Sequence, residues 1–450
     1  MAFIDRERLA AVHARELERF VELHPESARR VAEASRHMIG GVPMAWMTRW
    51  PGPFPITFAE AEGARFTDVD GLTYVDFCLG DTGAMTGHAL PEVSDALAAQ
   101  ARRGITTMLP SDDAAWVAGE LARRFGLPQW QFAMTATDAN RFAIRLARHV
   151  TGRSKILVFD WCYHGTVDEA LVCLDDQGRV VPRPGNTGPA VDPAITTKVV
   201  PFNDLDALEA ALAPGDVACV LAEPALTNIG IVLPESGFHH ALREITRRTG
   251  TLLIIDETHT ICTGPGGATA AWGLEPDLFV IGKTIGGGMP AAAYGMTGEL
   301  AARVLPVMHD TGIDVSGIGG TLTGNALAMA AMRATLSSTL RQVEFDRMIP
   351  LAQRWTDGVA EVIADHELPW HVQRLGCRSE YWFCPPPRNG RQAHDAIDEE
   401  LDAFMHLWAL NHQILLTPFH NMALLSPHHS EADVDLHTDV FADALDALVN

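Results

Sequence analysis

Lysine is scarce in this 450-residue sequence, where only Lys155, Lys198 and Lys283 occur beside 31 arginines. Arginine keeps its proton in proteins, whereas a lysine amine can lose it and then condense with a carbonyl. Lys155 and Lys198 precede apolar runs and are interpreted as surface residues at strand ends. Lys283 instead follows an apolar run and precedes three glycines. The scarcity therefore singles out Lys283 as a candidate for chemistry.

The sequence also has few positively charged residues and no long apolar run. The 34 basic residues face 57 acidic ones, and a formal net charge of -23 repels nucleic-acid phosphates and anionic lipids. No apolar run approaches the roughly 20 residues that span a bilayer. The first 19 residues form an Arg/Glu-rich amphipathic pattern rather than a signal sequence. We expect a cytoplasmic protein with neither a nucleic-acid nor a membrane partner.

Cysteine pairs with metal-site or redox spacing are absent. The seven cysteines include no C-x-x-C pair, so free buried thiols are expected. The 19 histidines include adjacent pairs such as His239-His240, but these lack the flanking spacing of a zinc site. No metal is predicted.

The order of apolar patterns predicts an α/β fold. A helix is expected from about Arg6 to Leu23, followed by a loop over 40–55 and a β-hairpin over 58–77. From about residue 115, strands alternate with helices, which is typical of a mainly parallel, helix-covered sheet. A smaller α+β unit is expected after about residue 345. The predicted strands are 130–134, 155–161, 197–202, 217–223, 251–257, 277–282 and 291–297.

The first candidate functional segment is Thr135 to Ala139, between a predicted strand and a predicted helix. The backbone N–H groups of Ala136 and Thr137, with the Thr137 hydroxyl, are placed to hold a phosphate at the positive end of a helix. An ordinary Thr/Asp helix cap is an equally good interpretation of this segment taken alone.

Two further candidates end apolar strands, at the edge where open α/β sheets bind ligands. Asp256 follows four apolar residues, and a buried carboxylate there needs a cationic or hydrogen-bonding partner. Lys283 follows the next run, where desolvation lowers the pKa of an amine. Taken singly, Asp256 also fits a loop-binding role, and the glycines after Lys283 also fit a tight turn. They do not match the G-x-G-x-x-G pattern of nicotinamide-binding proteins.

Taken together, these segments resemble the class III aminotransferases of fold type I, which include ω-transaminases and glutamate-1-semialdehyde aminomutase. The resemblance covers roughly residues 40–440. The matching motifs are Asp68-Val69-Asp70-Gly71, Gly87-His88, the Thr135 segment, Tyr163-His164-Gly165, Glu223-Pro224, Asp256-Glu257, Gly282-Lys283 and Gly320 to Asn325.

The resemblance implies pyridoxal 5'-phosphate as cofactor and assigns a role to each matching residue. Lys283 carries the cofactor as a Schiff base, Asp256 pairs with its ring nitrogen, and Tyr163 stacks on the ring face. Thr321 reaches the phosphate of the neighbouring subunit's cofactor, which implies a homodimer with shared active sites. Plain core packing for Tyr163 and a turn for Thr321 are the alternatives. The remaining implied cofactor-binding residues are Ala136, Thr137, His164 and Glu223.

The resemblance also implies a domain division and an activity. An N-terminal segment, 1–80, joins the small domain 341–450, and 81–340 is the large cofactor-binding domain. The implied activity is transfer of an amino group from an amine or amino acid to a keto acid. The alternatives are an intramolecular aminomutase of the glutamate-1-semialdehyde type, a non-catalytic cofactor-binding protein and a nicotinamide oxidoreductase.

The sequence departs from the family pattern in several places. Ala136 and Asp138 replace the common Gly and Glu, and Thr258-His259 follow Asp256-Glu257 where apolar residues are usual. Ala326 replaces a common proline, which we expect to be harmless. Arg49 and Arg378 are possible carboxylate clamps, although solvated surface positions are the better expectation.

Two loops bear on the choice between transaminase and aminomutase. Asn421 stands where semialdehyde aminomutases carry a glutamate, and Met44, Trp46 and Met47 predict an apolar mouth to the site. Burying such side chains against a substrate favours an apolar amine by about 1–3 kcal/mol each. Transfer between two substrates, with pyruvate or a similar keto acid as acceptor, is therefore expected.

Overall fold

A computed structural model describes residues 4–309 and 317–449. Within it the chain divides into two units. Unit 1 comprises Met1–Leu90, Val343–Pro386 and Ala396–Asn450, and unit 2 comprises Pro91–Gln342 and Pro387–Asp395. The predicted domain limits, after residues 80 and 340, stay a prediction, because compact packing does not by itself define an independently folding domain.

Unit 2 is built on a seven-stranded sheet with the order β4-β12-β11-β10-β9-β5-β8. Only β12 runs antiparallel to its neighbours, β4 and β11, and the other four ladders are parallel. Helices cover both faces of such sheets, so the central strands are apolar throughout. All six residues of Val217–Ala222, for example, are buried. The strands are β4 (Gln129–Ala133), β5 (Lys155–Phe159), β8 (Thr197–Val200), β9 (Val217–Ala222), β10 (Leu252–Asp256), β11 (Leu278–Ile281) and β12 (Ala292–Met296).

The helices of unit 2 begin and end at the residues that helix capping favours. The helix after β4 starts with Thr135, whose hydroxyl accepts a hydrogen bond from the Asp138 amide, and ends at Gly152 with a φ of 69°. A small hairpin, β6 (Val172–Leu174) with β7 (Val180–Pro182), lies beyond β5. The helices are α3 (Pro91–Ala101), α4 (Asp112–Phe125), α5 (Ala136–Thr151), α6 (Leu205–Leu212), α7 (Phe238–Thr249), α8 (Gly267–Ala271), α9 (Gly298–His309), α10 (Ala326–Ala334) and α12 (Gly390–His394).

Unit 1 combines two small sheets with helices from the N-terminal and the C-terminal regions of the chain. One sheet has the order β1-β2-β3-β15 and the other β13-β14-β16. A core cluster that includes Phe20, Tyr74 and Leu407 joins the first helix to β3 and α13. The strands are β1 (Phe58–Glu62), β2 (Arg65–Asp68), β3 (Thr73–Asp76), β13 (His371–Leu375), β14 (Arg378–Trp382), β15 (Ile414–Leu415) and β16 (Met422–Leu424). The helices are α1 (Arg6–Leu23), α2 (Pro25–Ala34), α11 (Gln342–Asp365, whose first residue belongs to unit 2), α13 (Glu399–Asn411) and α14 (Glu431–Val449).

The expectations for the two arginines have different outcomes. Arg49 is exposed, as expected. Arg378 is fully buried on β14, with Nη2 at 3.9 Å from the Glu380 carboxylate, so its expected solvated position was wrong. Arg378 and Glu380 point to the same face of their strand because side chains two residues apart do so. No helix in the described ranges is long and apolar enough to cross a membrane.

Candidate active site

The predicted chemical residues follow strands whose carboxyl ends meet at one edge of the large sheet. β5, β9, β10 and β11 are parallel, and β4 shares their direction because two antiparallel steps separate it from β11. The segments that leave these strands carry the Thr135 segment, His164, Glu223, Asp256 and Lys283. This edge is the ligand-binding position of open α/β sheets.

The start of α5 has the features of the predicted anion cradle. The first amides of a helix have no partner within it, and here the Thr135 hydroxyl accepts only the Asp138 N–H of that turn, at 3.1 Å. Gly282 lies close enough that a Cβ atom there would be 3.0 Å from the Ala136 Cβ and 3.3 Å from its amide nitrogen. Gly165 lies against Thr137, where a Cβ atom would be 2.1 Å from the hydroxyl oxygen. Glycines therefore leave room around the amides of Ala136 and Thr137.

Asp256 is a buried carboxylate held by four hydrogen bonds. Its Oδ1 accepts the Thr258 backbone N–H at 3.1 Å and the Thr258 hydroxyl at 2.6 Å. Its Oδ2 accepts the side-chain amide of Asn140 at 2.8 Å and faces Nδ1 of His164 at 3.0 Å. Burial raises the pKa of Asp256, but the contacts with His164, Thr258 and Asn140 outweigh burial and hold the pKa below its ordinary value. The carboxylate is therefore kept ionised.

His164 is the nearest ionisable neighbour of Asp256, with Nδ1 at 3.0 Å from Oδ2. Burial works to lower the pKa of this imidazole, but Cys162 and Asp256 beside it raise the pKa well above its ordinary value. The side-chain amide of Asn140 donates to the backbone carbonyl of His164 at 3.2 Å as well as to Asp256. Asn140 therefore bridges the two residues. These contacts fix the orientation of the Asp256 carboxylate at the end of β10.

Lys283 has a backbone conformation that is unusual for a residue other than glycine, with a φ of 50°. Non-glycine residues in this left-handed region cost of order 1 kcal/mol or more and are found where the surrounding structure imposes them. The Nζ atom of Lys283 lies 2.5 Å from Nε2 of His259. The amine is therefore held at the sheet edge by both the backbone and a side-chain contact.

Glu223 is the second buried carboxyl group at this edge. Its Oε1 accepts the Tyr163 backbone N–H at 3.3 Å, and its Oε2 accepts the Thr227 hydroxyl at 2.5 Å. Burial raises the pKa of Glu223, opposed by His164 and by the Thr227 hydroxyl. Thr227 in turn lies 2.9 Å from Nδ1 of His259, which connects Glu223 to the side chain next to Lys283.

The predicted residues are thus largely brought together in unit 2. Thr321 is the exception, because it is exposed in the turn that precedes α10. Its contact with a neighbouring subunit's cofactor and the ring stacking of Tyr163 stay predictions.

Asn140 and Thr227 contact the candidate residues at this edge, and neither was predicted from the sequence. Asn140 had a detectable signal, because it is a polar residue on the otherwise apolar face of α5 that includes Ala139, Ala143 and Ala147. Thr227 gave no such signal, since it lies in the irregular segment after β9.

Comparison with known proteins identifies the family. Residues 46–377 match the aminotransferase class-III family. The chain belongs to the class-III aminotransferases. Membership confirms the recognition and the fold type I architecture, together with the cofactor that the resemblance implied, pyridoxal 5'-phosphate.

This class-III chain is similar to proteins with two kinds of activity. Glutamate-1-semialdehyde 2,1-aminomutase of Thermomicrobium roseum is 36% identical over 395 residues, which cover 85% of this chain and 89% of the relative. A crystal structure of a glutamate-1-semialdehyde aminomutase variant from Pseudomonas aeruginosa PAO1, in complex with PMP, is 52% identical over 99% of both chains, with a TM-score of 0.97. An ω-transaminase structure from Sphaerobacter thermophilus is 30% identical over 94% of this chain and 98% of its own, with a TM-score of 0.86.

These similarities bear on the choice between transfer of an amino group from one substrate to another and transfer within one substrate. The more similar relatives are described as aminomutases, so they favour the intramolecular alternative over the expected transfer between two substrates. The coarser prediction, an enzyme of the class-III aminotransferase family, stands.

Proposed function

We propose that this chain is a pyridoxal-phosphate enzyme that exchanges an amino group between neighbouring carbon atoms of one substrate, as glutamate-1-semialdehyde aminomutases do. The observation that carries the proposal is the 52% identity to the Pseudomonas aeruginosa aminomutase over 99% of both chains. The proposed unit is a homodimer, in which Thr321 completes the phosphate site of the other subunit.

The residues at the edge of the large sheet fit the cofactor chemically. The opening amides of α5, at Ala136 and Thr137, suit the phosphate because they carry the positive end of the helix. The ionised Asp256 suits a protonated ring nitrogen, and Lys283 supplies the amine for covalent attachment. When bound, pyridoxal phosphate supplies an electron sink that stabilises negative charge on a substrate carbon.

The chain itself then has two tasks at this edge. Nζ of Lys283 moves protons, for which it must alternate between the neutral and the charged amine. The carboxylate of Asp256 must stay negative throughout, and its hydrogen bonds from Thr258 and Asn140 keep it so. Neither task distinguishes an aminomutase from an aminotransferase, because both reactions use the same groups.

The deciding experiment supplies glutamate-1-semialdehyde to the holoenzyme without any second substrate. Formation of 5-aminolevulinate, absent in Lys283→Ala, is the expected result. An absorbance band near roughly 400–430 nm that borohydride abolishes verifies covalent attachment of the cofactor in the same sample. No product from the semialdehyde, with alanine formed from an apolar amine and pyruvate, would reject the aminomutase.

Transfer between two substrates is the second candidate, and specific residues favour it. Asn421 occupies the position of a glutamate in semialdehyde aminomutases. Trp46 lies against Phe419 with ring centroids 5.3 Å apart, and Met44, Trp46 and Met47 are all exposed. These apolar side chains of unit 1 favour an apolar amine over a substrate that carries a carboxylate, such as glutamate-1-semialdehyde. The amine and pyruvate arm of the experiment tests this candidate directly.

A further inference from the structure

A chain of hydrogen-bonding groups runs from Lys283 to a buried carboxyl group. Nζ of Lys283 lies 2.5 Å from Nε2 of His259, and Nδ1 of His259 lies 2.9 Å from the Thr227 hydroxyl. That hydroxyl donates to Oε2 of Glu223 at 2.5 Å. Each link is within hydrogen-bond distance, and each group is of a kind that can both release and accept a proton, either by itself or through its other atom.

The direction of each hydrogen bond in this series follows from the charge of Glu223 at its far end. With Glu223 ionised, the Thr227 hydrogen points to the carboxylate, so the Thr227 oxygen accepts from Nδ1–H of His259. The His259 Nε2 then has a lone pair toward Lys283 and accepts a hydrogen bond from its ammonium group. The neutral imidazole is thereby fixed in one tautomer.

Resting on the proposed function, we infer that His259 and Thr227 relay a proton from Lys283 to Glu223 and so prepare the neutral amine that binds the cofactor. The proton on Nζ passes to Nε2 of His259, the Nδ1 proton passes to the Thr227 oxygen, and the hydroxyl proton passes to Oε2 of Glu223. The N–H bond of Lys283 breaks and an O–H bond of Glu223 forms. No oxidant, reductant or further reactant takes part.

The surroundings of Glu223 suit it to receive this proton. Glu223 is buried, and burial raises the pKa of its carboxyl group. His164 and Arg183, from the segments after β5 and β7, favour its ionised form, whereas Asp256, at the end of β10, favours its protonated form. Lys283 faces the other end of the relay from the end of β11. His259 is also one of the sequence departures from the family pattern noted above, where an apolar residue is usual.

Thr227 offers the cleanest test, because it does not contact Lys283 directly but only through His259. Thr227→Ser keeps the hydroxyl, whereas Thr227→Val keeps the volume and removes it. The measurement mixes cofactor-free protein with pyridoxal phosphate and follows covalent capture near roughly 400–430 nm at several pH values. This readout does not depend on which amino-group reaction the loaded enzyme performs.

His259 variants separate the relay from mere positioning. His259→Gln keeps a group that accepts a hydrogen bond from Lys283 but cannot pass a proton on, whereas His259→Leu removes both properties. His240→Leu, at an exposed position on α7, is the matched control. Thermal unfolding of each cofactor-free variant verifies that it is folded.

The expected result is capture at about the wild-type rate in Thr227→Ser and His240→Leu. Capture is expected to be slower by roughly 100-fold in Thr227→Val, His259→Gln and His259→Leu, which is the size of a lost acid–base group. Wild-type rates in Thr227→Val or His259→Gln would overturn the relay while leaving the proposed function intact. Absence of covalent capture in the wild-type protein would instead reject the proposed function.

Discussion

Replacing Asp256 by asparagine tests whether this carboxylate is held for its charge. The substitution keeps the shape of the side chain but exchanges one oxygen for an NH2 group. Oδ1 faces two donors of Thr258, and Oδ2 faces the Asn140 amide and His164. In either orientation the new NH2 group meets a donor. A buried donor left without an acceptor costs about 1–3 kcal/mol, so the free energy of unfolding should fall by that amount.

The loss should depend on pH in a defined direction. In the wild-type protein Asp256 has a lowered pKa and His164 a raised one, relative to ordinary values of 3.8 and 6.5. The raised pKa of His164 contributes stability that is complete below pH 6.5 and is lost as the pH rises through its folded value. The lowered pKa of Asp256 contributes stability above pH 3.8 that is lost as the pH falls. The deficit of Asp256→Asn should therefore be largest between about pH 4 and 6.5 and smaller above.

The assay combines urea unfolding at several pH values with turnover of the holoenzyme. Turnover should fall by about three orders of magnitude or more, equivalent to about 4 kcal/mol of transition-state stabilisation. Asp277→Asn is the matched control, since Asp277 precedes β11 at the opposite edge of the sheet and accepts hydrogen bonds from Arg243 and the Leu253 amide. It should lose stability but keep activity. Equal activity losses in both variants would refute the assigned role of Asp256.

Three further outcomes are expected. Lys283→Ala should abolish the borohydride-sensitive absorbance band and turnover, while Lys155→Ala, at a residue paired with an exposed carboxylate, should keep both; a band in Lys283→Ala would place the cofactor elsewhere. Thr321→Ala should retain pyridoxal phosphate less well on dialysis, and sedimentation of the wild-type holoenzyme should give a dimer; a fully loaded, active monomer contradicts this. Asn421→Asp should destabilise unit 1 more at pH 8 than at pH 5.5 in urea unfolding. Burial raises the pKa of its neighbour Asp402 to about 7, so that at pH 8 Asp402 is ionised and repels the new carboxylate. Equal losses of stability at both pH values would be inconsistent with this contact.

The sequence was sufficient to predict the large sheet and the position of Asp256 and Lys283 at one edge of it. Each predicted strand of the large sheet is present, with ends that differ by up to two residues, because apolar runs between helices leave little choice of structure. Asp256 and Lys283 follow such strands, so their common edge was predictable. Asn140 and Thr227 were not predicted, because a hydrogen bond between distant segments depends on helix rotation and loop path. Arg378 was misplaced because its burial requires a strand that is covered by other parts of the fold, which the local sequence does not reveal.

The choice of substrate is harder to predict because the residues that bear on it also have structural partners. Asn421 is buried and donates to Oδ1 of Asp402 at 2.8 Å, so an asparagine at this position has a structural role within unit 1. A glutamate there would be a second carboxyl group beside Asp402, and Asn421 avoids that repulsion while satisfying the buried oxygen. Asn421 therefore counts less against an aminomutase than its position in the sequence suggests. Met44 and Trp46 are exposed, and Trp46 lies against Phe419, so this apolar surface carries the remaining argument for an apolar amine.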